Sequence, residues 1–320
     1  MRVACLKHTP VTTCLFGEIV MRCYVVLNKD GGTLKTADVK ALAASIASTF
    51  KSEGHEVNVD IVGGAAISSR VEQLAASKTI ECLIVGGGDG TVSLAASQCW
   101  KHHKILGVLP FGTMNFFART LGLPLEPSAA ISALAKSVPR KIDIATVNGR
   151  PFVHQVSLGI QPAMIELRSR IPYASRAGKI RASALAAVKT IIRPPSFRAR
   201  LVTSEDEDNN RFSMLAVTNN LYGDGHLPFA DRPDAGVLGI YVAPRLSFLQ
   251  NMRLARDLAF GRWANNEHFL SATDGEIVLR LVSRARGRKM SIDGELAPLS
   301  DTLVFRLCPK ELSVLMPQDA

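Results

Sequence analysis

Between residues 23 and 109 the chain alternates two kinds of hydrophobic pattern. Residues 23–27, 82–85 and 105–109 are almost wholly apolar, as strands buried on both faces are. Residues 56–62 alternate apolar and polar positions and predict a further strand. Residues 37–51, 71–76 and 92–100 space their apolar positions at helical period, and Gly54 stops the first of these. Strand and helix in alternation predict a parallel sheet covered by helices on both faces, a Rossmann-like α/β unit.

After about Ile142 the texture changes. Short runs over 152–158, 197–202, 212–217, 238–242, 277–282, 290–292 and 302–307 are separated by turn signals, among them the polar stretch 205–210 and Asp293-Gly294. Such spacing predicts an antiparallel β-sandwich. One helical segment, about 176–192, interrupts it before Pro194-Pro195. The expected organisation is an α/β unit over 21–143 and a β-sandwich over 144–320, whose last strands have the option of returning to the first unit.

Composition narrows the class. The chain has 320 residues, 47% of them apolar, enough for two cores and too hydrophobic for disorder. It contains no apolar run of the roughly 18 residues that a membrane-spanning helix needs. Lys7, Pro10 and Glu18 break up what a secretory signal would require, and Met21 makes residues 1–20 an optional leader or a misassigned start. The six cysteines include no C-x-x-C pair, which suits a reducing cytosol. Net charge is +10, and the window 166–200 holds nine basic residues against one acid. Within it, 176–192 mixes basic and apolar positions, as an interfacial helix does and as a solvated basic face over a core also does. Nucleic acid is not expected as a partner, because aromatics are 6% and none interleave with the basic cluster.

The chemistry concentrates in turns. Gly86-Gly87-Gly88-Asp89-Gly90-Thr91 sits between a buried strand and a helix, at the strand end where parallel sheets bind ligands. Glycines there admit a phosphate close to the backbone, and the helix N-terminus offers it free N–H groups. Asp89 is placed to hold a magnesium ion and Thr91 to donate a hydrogen bond; the plain alternative is a tight turn that needs glycine. No Gly-Lys-Ser/Thr follows, so this is not a Walker loop. The next strand leads into Pro110-Phe111-Gly112-Thr113-Met114-Asn115, where Thr113 and Asn115 face the same crevice or cap a helix. Asp293-Gly294-Glu295 is either a hairpin turn or a carboxylate brought in from the second unit. Asp274-Gly275-Glu276 repeats its three letters.

These motifs, with Asn28 and Gly31-Gly32, appear in an order that resembles the diacylglycerol kinase catalytic-domain family, in its bacterial lipid-kinase branch related to sphingosine and ceramide kinases. The resemblance runs over about residues 23–316. It implies ATP bound between an α/β domain and a β-sandwich, with Asn28, Gly87, Gly88, Asp89, Gly90, Thr91, Thr113 and Asn115 around the nucleotide. It implies Glu295 as the base that takes the acceptor's proton, with Asp89 as its catalytic companion and as a ligand of Mg2+. The chain departs from the family in three places. Ser93 and Leu94 replace an Asn and a Glu, and Asp60 stands near a missing Thr. Ala235 replaces the acid of a metal-binding Asp-Gly turn, leaving Asp234, one residue early, as the candidate ligand.

The expected protein is therefore a cytoplasmic, peripherally membrane-associated kinase that uses ATP and Mg2+ on a lipid substrate, with an anionic membrane surface met through the basic 168–200 region. A soluble acceptor such as NAD, or a regulator without turnover, are the alternatives. A homodimer is left open.

Overall fold

The computed structural model describes residues 20–170, 195–204, 206–223, 227–245, 247–259, 270–282 and 287–318, together with Leu185. The expected leader and the body of the basic helix at 176–192 lie outside the described residues.

In the α/β half, β1 (Arg22–Asn28), β2 (Glu56–Val62), β3 (Cys82–Gly87) and β4 (Ile105–Pro110) form a parallel sheet in the order β2-β1-β3-β4. All of β3 is buried, which is why its sequence reads as an unbroken apolar run. Helices α1 (Val39–Ser52), α2 (Ile67–Ala75) and α3 (Asp89–His102) cross between the strands. The Asp38 carboxylate caps α1 by accepting from the Lys40 and Ala41 amides, and Gly54 follows its end at φ +82°. Ile46 and Phe50 of α1 are buried in the core, and Val39, Leu42, Ala43 and Ala47 pack against it. Two short helices follow β4, α4 (Phe116–Thr120) and α5 (Pro127–Ala135).

The antiparallel half begins with β5 (Val138–Val147), so residue 143 lies inside a strand and not in a linker. Then come β6 (Arg150–Phe152), β7 (Gln155–Gly159), helix α6 (Ile160–Ser169), β8 (Phe197–Val202), β9 (Glu207–Asn219), β10 (Leu238–Pro244), β11 (Leu270–Asp274), β12 (Glu276–Leu281), β13 (Lys289–Ile292), β14 (Glu295–Pro298) and β15 (Thr302–Met316). Their inward residues, Phe152, Phe212, Leu215, Leu279 and Phe305 among them, enclose a second core. The α/β-plus-antiparallel architecture is the one expected.

The expectation of a turn over 205–210 is corrected. Residues 207–210 belong to β9, where Glu207 pairs with Val202 and Asn209 with Arg200. Cross-strand pairing, including an Arg200–Glu207 ion pair at 2.9 Å, outweighs the turn preference of these polar side chains. The run 152–158 is also not one strand. It bends at Val153-His154 between β6 and β7, and that bend proves to belong to the site.

β15 ties the halves together. Its first residues pair with β12 and put Leu303 and Phe305 in the second core, while Leu312, Val314 and Leu315 enter the first beside β4. The strand changes register between Cys308 and Leu312, where Lys310 takes φ +56°. Buried Asp143 holds this bend, its carboxylate accepting from the Lys310 amide at 2.9 Å and the Gly236 amide at 2.8 Å. Asp234, in the turn this same carboxylate clamps, is exposed. Among the described residues no group of three or more His, Cys, Asp or Glu side chains forms a metal cluster there or elsewhere.

Candidate active site

The C-terminal ends of β1, β3 and β4 are neighbours in the sheet, so the turns after them share one crevice edge. Glycine lets them touch. At Gly32, with φ +49°, a Cβ would lie 1.9 Å from the Phe111 carbonyl oxygen. At Gly112 a Cβ would lie 2.7 Å from the Gly88 Cα. Any side chain at either position would wedge the loops apart.

Polar side chains then fix the loops. Asn28 donates from Nδ2 to the Thr91 hydroxyl at 3.1 Å, joining the end of β1 to the first turn of α3. Asn115, left-handed at φ 52° and buried, accepts from the Gly112 amide at 2.8 Å and donates to the carbonyls of Gly112 and Pro110. Its amide is therefore spent inside the turn. Thr113, in the same turn, is exposed. The Asp89 carboxylate accepts from the Phe116 amide at 2.8 Å and the Asn115 amide at 3.1 Å. It caps α4 and clamps the two glycine loops together, a use its sequence position did not disclose.

The second half supplies the opposite wall through the β13–β14 hairpin. A Cβ on Gly90 would stand 2.8 Å from Glu295 Oε1, so the exposed Glu295 carboxylate rests against the first turn of α3. A carboxylate is favourably placed beside a helix N-terminus. Its docking depends on buried Asp293 at φ 47°. That side chain accepts from the amides of Val153, His154 and Gln155 at 3.0, 2.9 and 3.0 Å, and from the Ser93 hydroxyl at 2.6 Å. Burial raises the Asp293 pKa, and these hydrogen bonds only partly offset it. Ser93, one of the departures from the family pattern, thus bonds α3 directly to the hairpin. Leu94, the other, packs against the first core.

His154 lies at the seam, stacked on Phe116 at 4.6 Å between ring centroids and tilted against Tyr222 at 5.8 Å. Burial lowers its pKa to about 4, against a smaller raising effect of Asp89, and so keeps the ring neutral near pH 7. Neither Asp293 nor His154 stood out as a site residue in the sequence. The only local signals were a hairpin Asp-Gly and a histidine interrupting an apolar run.

The structure thus brings Asn28, Gly87, Gly88, Asp89, Gly90, Thr91, Thr113, Asn115 and Glu295 to one crevice, while Asp234 lies in the turn whose Gly236 amide bonds Asp143. As to a cation, Mg2+ keeps most of its waters and needs one or two carboxylates beside substrate phosphates. Asp89 already gives each oxygen to a backbone amide, so the donor set fits a cation carried in with phosphates and not a protein-built cage.

Known proteins share parts of this sequence and its fold. The diacylglycerol kinase catalytic domain family matches residues 22–147. A diacylglycerol kinase of Bacillus subtilis is 24% identical over 285 residues, covering 86% of this chain and 91% of that protein. A probable YegS-like lipid kinase of Pseudomonas aeruginosa is 34% identical over 127 residues, 39% of this chain and 41% of that protein. A solved structure from Bacillus anthracis shares the fold with a TM-score of 0.74 at 16% identity, covering 97% of this chain and 99% of that one. The glycine-rich and Pro-x-Gly-Thr-x-Asn motifs that carried the resemblance lie within residues 22–147, the stretch that matches the diacylglycerol kinase catalytic domain family.

Proposed function

We propose that this protein is a lipid kinase that moves the γ-phosphoryl group of ATP to a lipid hydroxyl, on a diacylglycerol or a related glycerolipid. The observation that carries the reading is the meeting of the Gly88-Asp89-Gly90 turn with the Glu295 carboxylate, a glycine-walled edge facing an acid from the other half. The relatives named diacylglycerol kinase and lipid kinase support the same class of reaction.

In this reading the backbone amides at the start of α3 and the Thr113 hydroxyl hold the phosphates, and Asn28 keeps Thr91 oriented. Mg2+, when bound with ATP, supplies charge neutralisation at the phosphate oxygens. Glu295 accepts the proton of the acceptor hydroxyl as its oxygen bonds to the γ-phosphorus. The bond to the bridging oxygen breaks, and ADP leaves. Positioning and charge stabilisation account for most of the rate in such a transfer.

The test is transfer from labelled ATP into a mixed pool of diacylglycerol, monoacylglycerol, phosphatidylglycerol, a sphingoid base and NAD, split between organic solvent and water. Label in the organic phase is the expected result. Label only in a water-soluble product would move the assignment to a soluble acceptor. ATP binding without label in either phase would leave a regulator.

A further inference from the structure

Away from the glycine loops, three arginines meet with no counter-ion among the described residues. Arg198 on β8 is directly opposite Arg211 on β9, a like-charge pairing that antiparallel sheets disfavour. Arg288, just before β13, joins them around a cavity of about 320 Å³ that Ser196 and Phe197 complete. Arg211 donates from Nε to the Ser196 hydroxyl at 3.1 Å. Among the described residues no carboxylate forms an ion pair with any of the three. The contrast with the same strand is direct, because two residues along β8 Arg200 has Glu207 at 2.9 Å.

A second cavity of about 260 Å³ adjoins the first, sharing Ser196, Phe197 and Arg288. Its further wall is apolar, with Leu158, Pro162, Ala163 and Leu299. The acid on its rim, Glu166, is already engaged by Lys289 at 3.1 Å and Arg170 at 2.9 Å. The cleft is thus cationic at one end and greasy at the other.

We infer that this cleft binds the phosphodiester headgroup of an anionic phospholipid at a bilayer surface, with the guanidiniums of Arg198, Arg211 and Arg288 on the phosphate and the glycerol and upper acyl carbons along Pro162, Ala163 and Leu299. Guanidinium forks match phosphate oxygens in pairs, and a bound phosphate removes the mutual repulsion of the arginines. The site is separate from the proposed phosphoryl-transfer site. Arg288 stands at one end of β13 and Asp293 at the other, roughly 16 Å of strand apart. The protein would therefore grip the membrane at one end of the hairpin and present Glu295 at the other. Binding here does not depend on which molecule accepts the phosphoryl group.

The experiment is co-sedimentation of the full chain with vesicles of phosphatidylcholine alone and with one-third phosphatidylglycerol, at low and moderate salt. The wild type is expected to bind only the anionic vesicles. Each of R198Q, R211Q and R288Q should lose about fivefold in vesicle affinity. The triple variant R198Q/R211Q/R288Q should lose more, and R198K/R211K/R288K should recover part of that loss, since it keeps charge without the fork. A control of equal net charge, K51Q/K101Q/R150Q, alters exposed positions in the other half or at the β5–β6 turn and should bind as the wild type does. Equal loss in that control, or no binding of the wild type to anionic vesicles, would overturn the inference. So would displacement from vesicles by millimolar inorganic phosphate or glycerol phosphate, because the cleft would then be a site for free phosphate. The single variants guard against a misfolded triple variant. Transfer to a dispersed short-chain acceptor, unchanged in them, separates failure of this inference from failure of the kinase reading.

Discussion

The tripeptide Asp-Gly-Glu occurs at 274–276 and again at 293–295, each time ending one strand and starting the next. The copies have opposite surroundings. Asp274 accepts from the amides of Ser204, Gly275 and Glu276, which are local or nearby loop donors. Burial pushes its pKa up, but those amides outweigh it and the net shift is downward. Asp293 is buried under amides of the 153–155 bend and the Ser93 hydroxyl, and there burial wins and the shift is upward. Glu276 pairs with Arg306 at 3.3 Å, whereas Glu295 lies against Gly90. One copy is a solvated turn. The other fastens a carboxylate of one half onto the glycine loop of the other.

The largest separation expected between the copies is catalytic. E295Q should lower phosphoryl transfer by about a thousandfold, within the range a general base contributes, with ATP affinity kept. E276Q should leave transfer within twofold, because it loses only an exposed ion pair. Steady-state transfer with parallel ATP titration checks both. Loss of ATP binding in E295Q would make Glu295 structural, and equal activity of the two variants would dissolve the distinction.

Next comes stability. D293N turns one oxygen into an amide that faces backbone donors, and it should cost about 3 kcal/mol in urea unfolding. D274N, at a partly exposed turn, should cost less than about 1 kcal/mol. S93A tests the same joint more gently, by about 1–2 kcal/mol, since it removes a single donor to a charged acceptor. If S93A were neutral, the hairpin would be held by the 153–155 amides alone.

How much of this was legible beforehand differs between the halves for a physical reason. β3 and β4 are buried on both faces, so their sequences carry the burial directly, and the glycines after them must be small because backbone meets backbone. The antiparallel half depends on partners distant in sequence. Residues 207–210 look like a turn until Arg200 and Val202 lie beside them. Likewise the bond from the Phe116 amide to Asp89 shows only in the fold, and Ser93 reads as a loss until Asp293 arrives from 200 residues away. The motif residues could be found by local spacing, but the joints between halves could not.

A smaller effect is expected at the glycines. G90A introduces a Cβ 2.8 Å from Glu295 Oε1, the far end of a flexible side chain, so the carboxylate can swing away at little cost to stability. Transfer should nonetheless fall about tenfold, since displacing a positioned catalytic group is costly. G275A meets no atom within 4 Å and should change neither activity nor melting temperature. A G90A enzyme with full activity would mean that Glu295 works from a position other than the one it occupies against α3.

The smallest signal is a slope, and its sign divides the two aspartates. A carboxyl whose folded pKa is lowered, as in Asp274, adds stability above its unfolded value near 3.8 and loses it as pH falls through the folded value. A carboxyl whose folded pKa is raised, as in Asp293, favours the fold below that unfolded value and loses the contribution as pH rises through the folded one. Their windows therefore lie on opposite sides of about pH 3.8. His154 also acts above about pH 4, and in the opposite sense to Asp293. Its pKa falls from 6.5 to about 4, so stability drops as pH descends between those values. Urea midpoints from pH 3 to 7 should change slope above pH 4 in D293N, becoming steeper, and in H154F, becoming shallower, each by less than about 1.4 kcal/mol per pH unit. D274N should run parallel to the wild type above pH 4 and depart from it in slope only below that pH. A D274N curve that departed above pH 4 instead, or a D293N curve parallel to the wild type, would mean that both turns are solvated alike and that the second is not sealed between the halves.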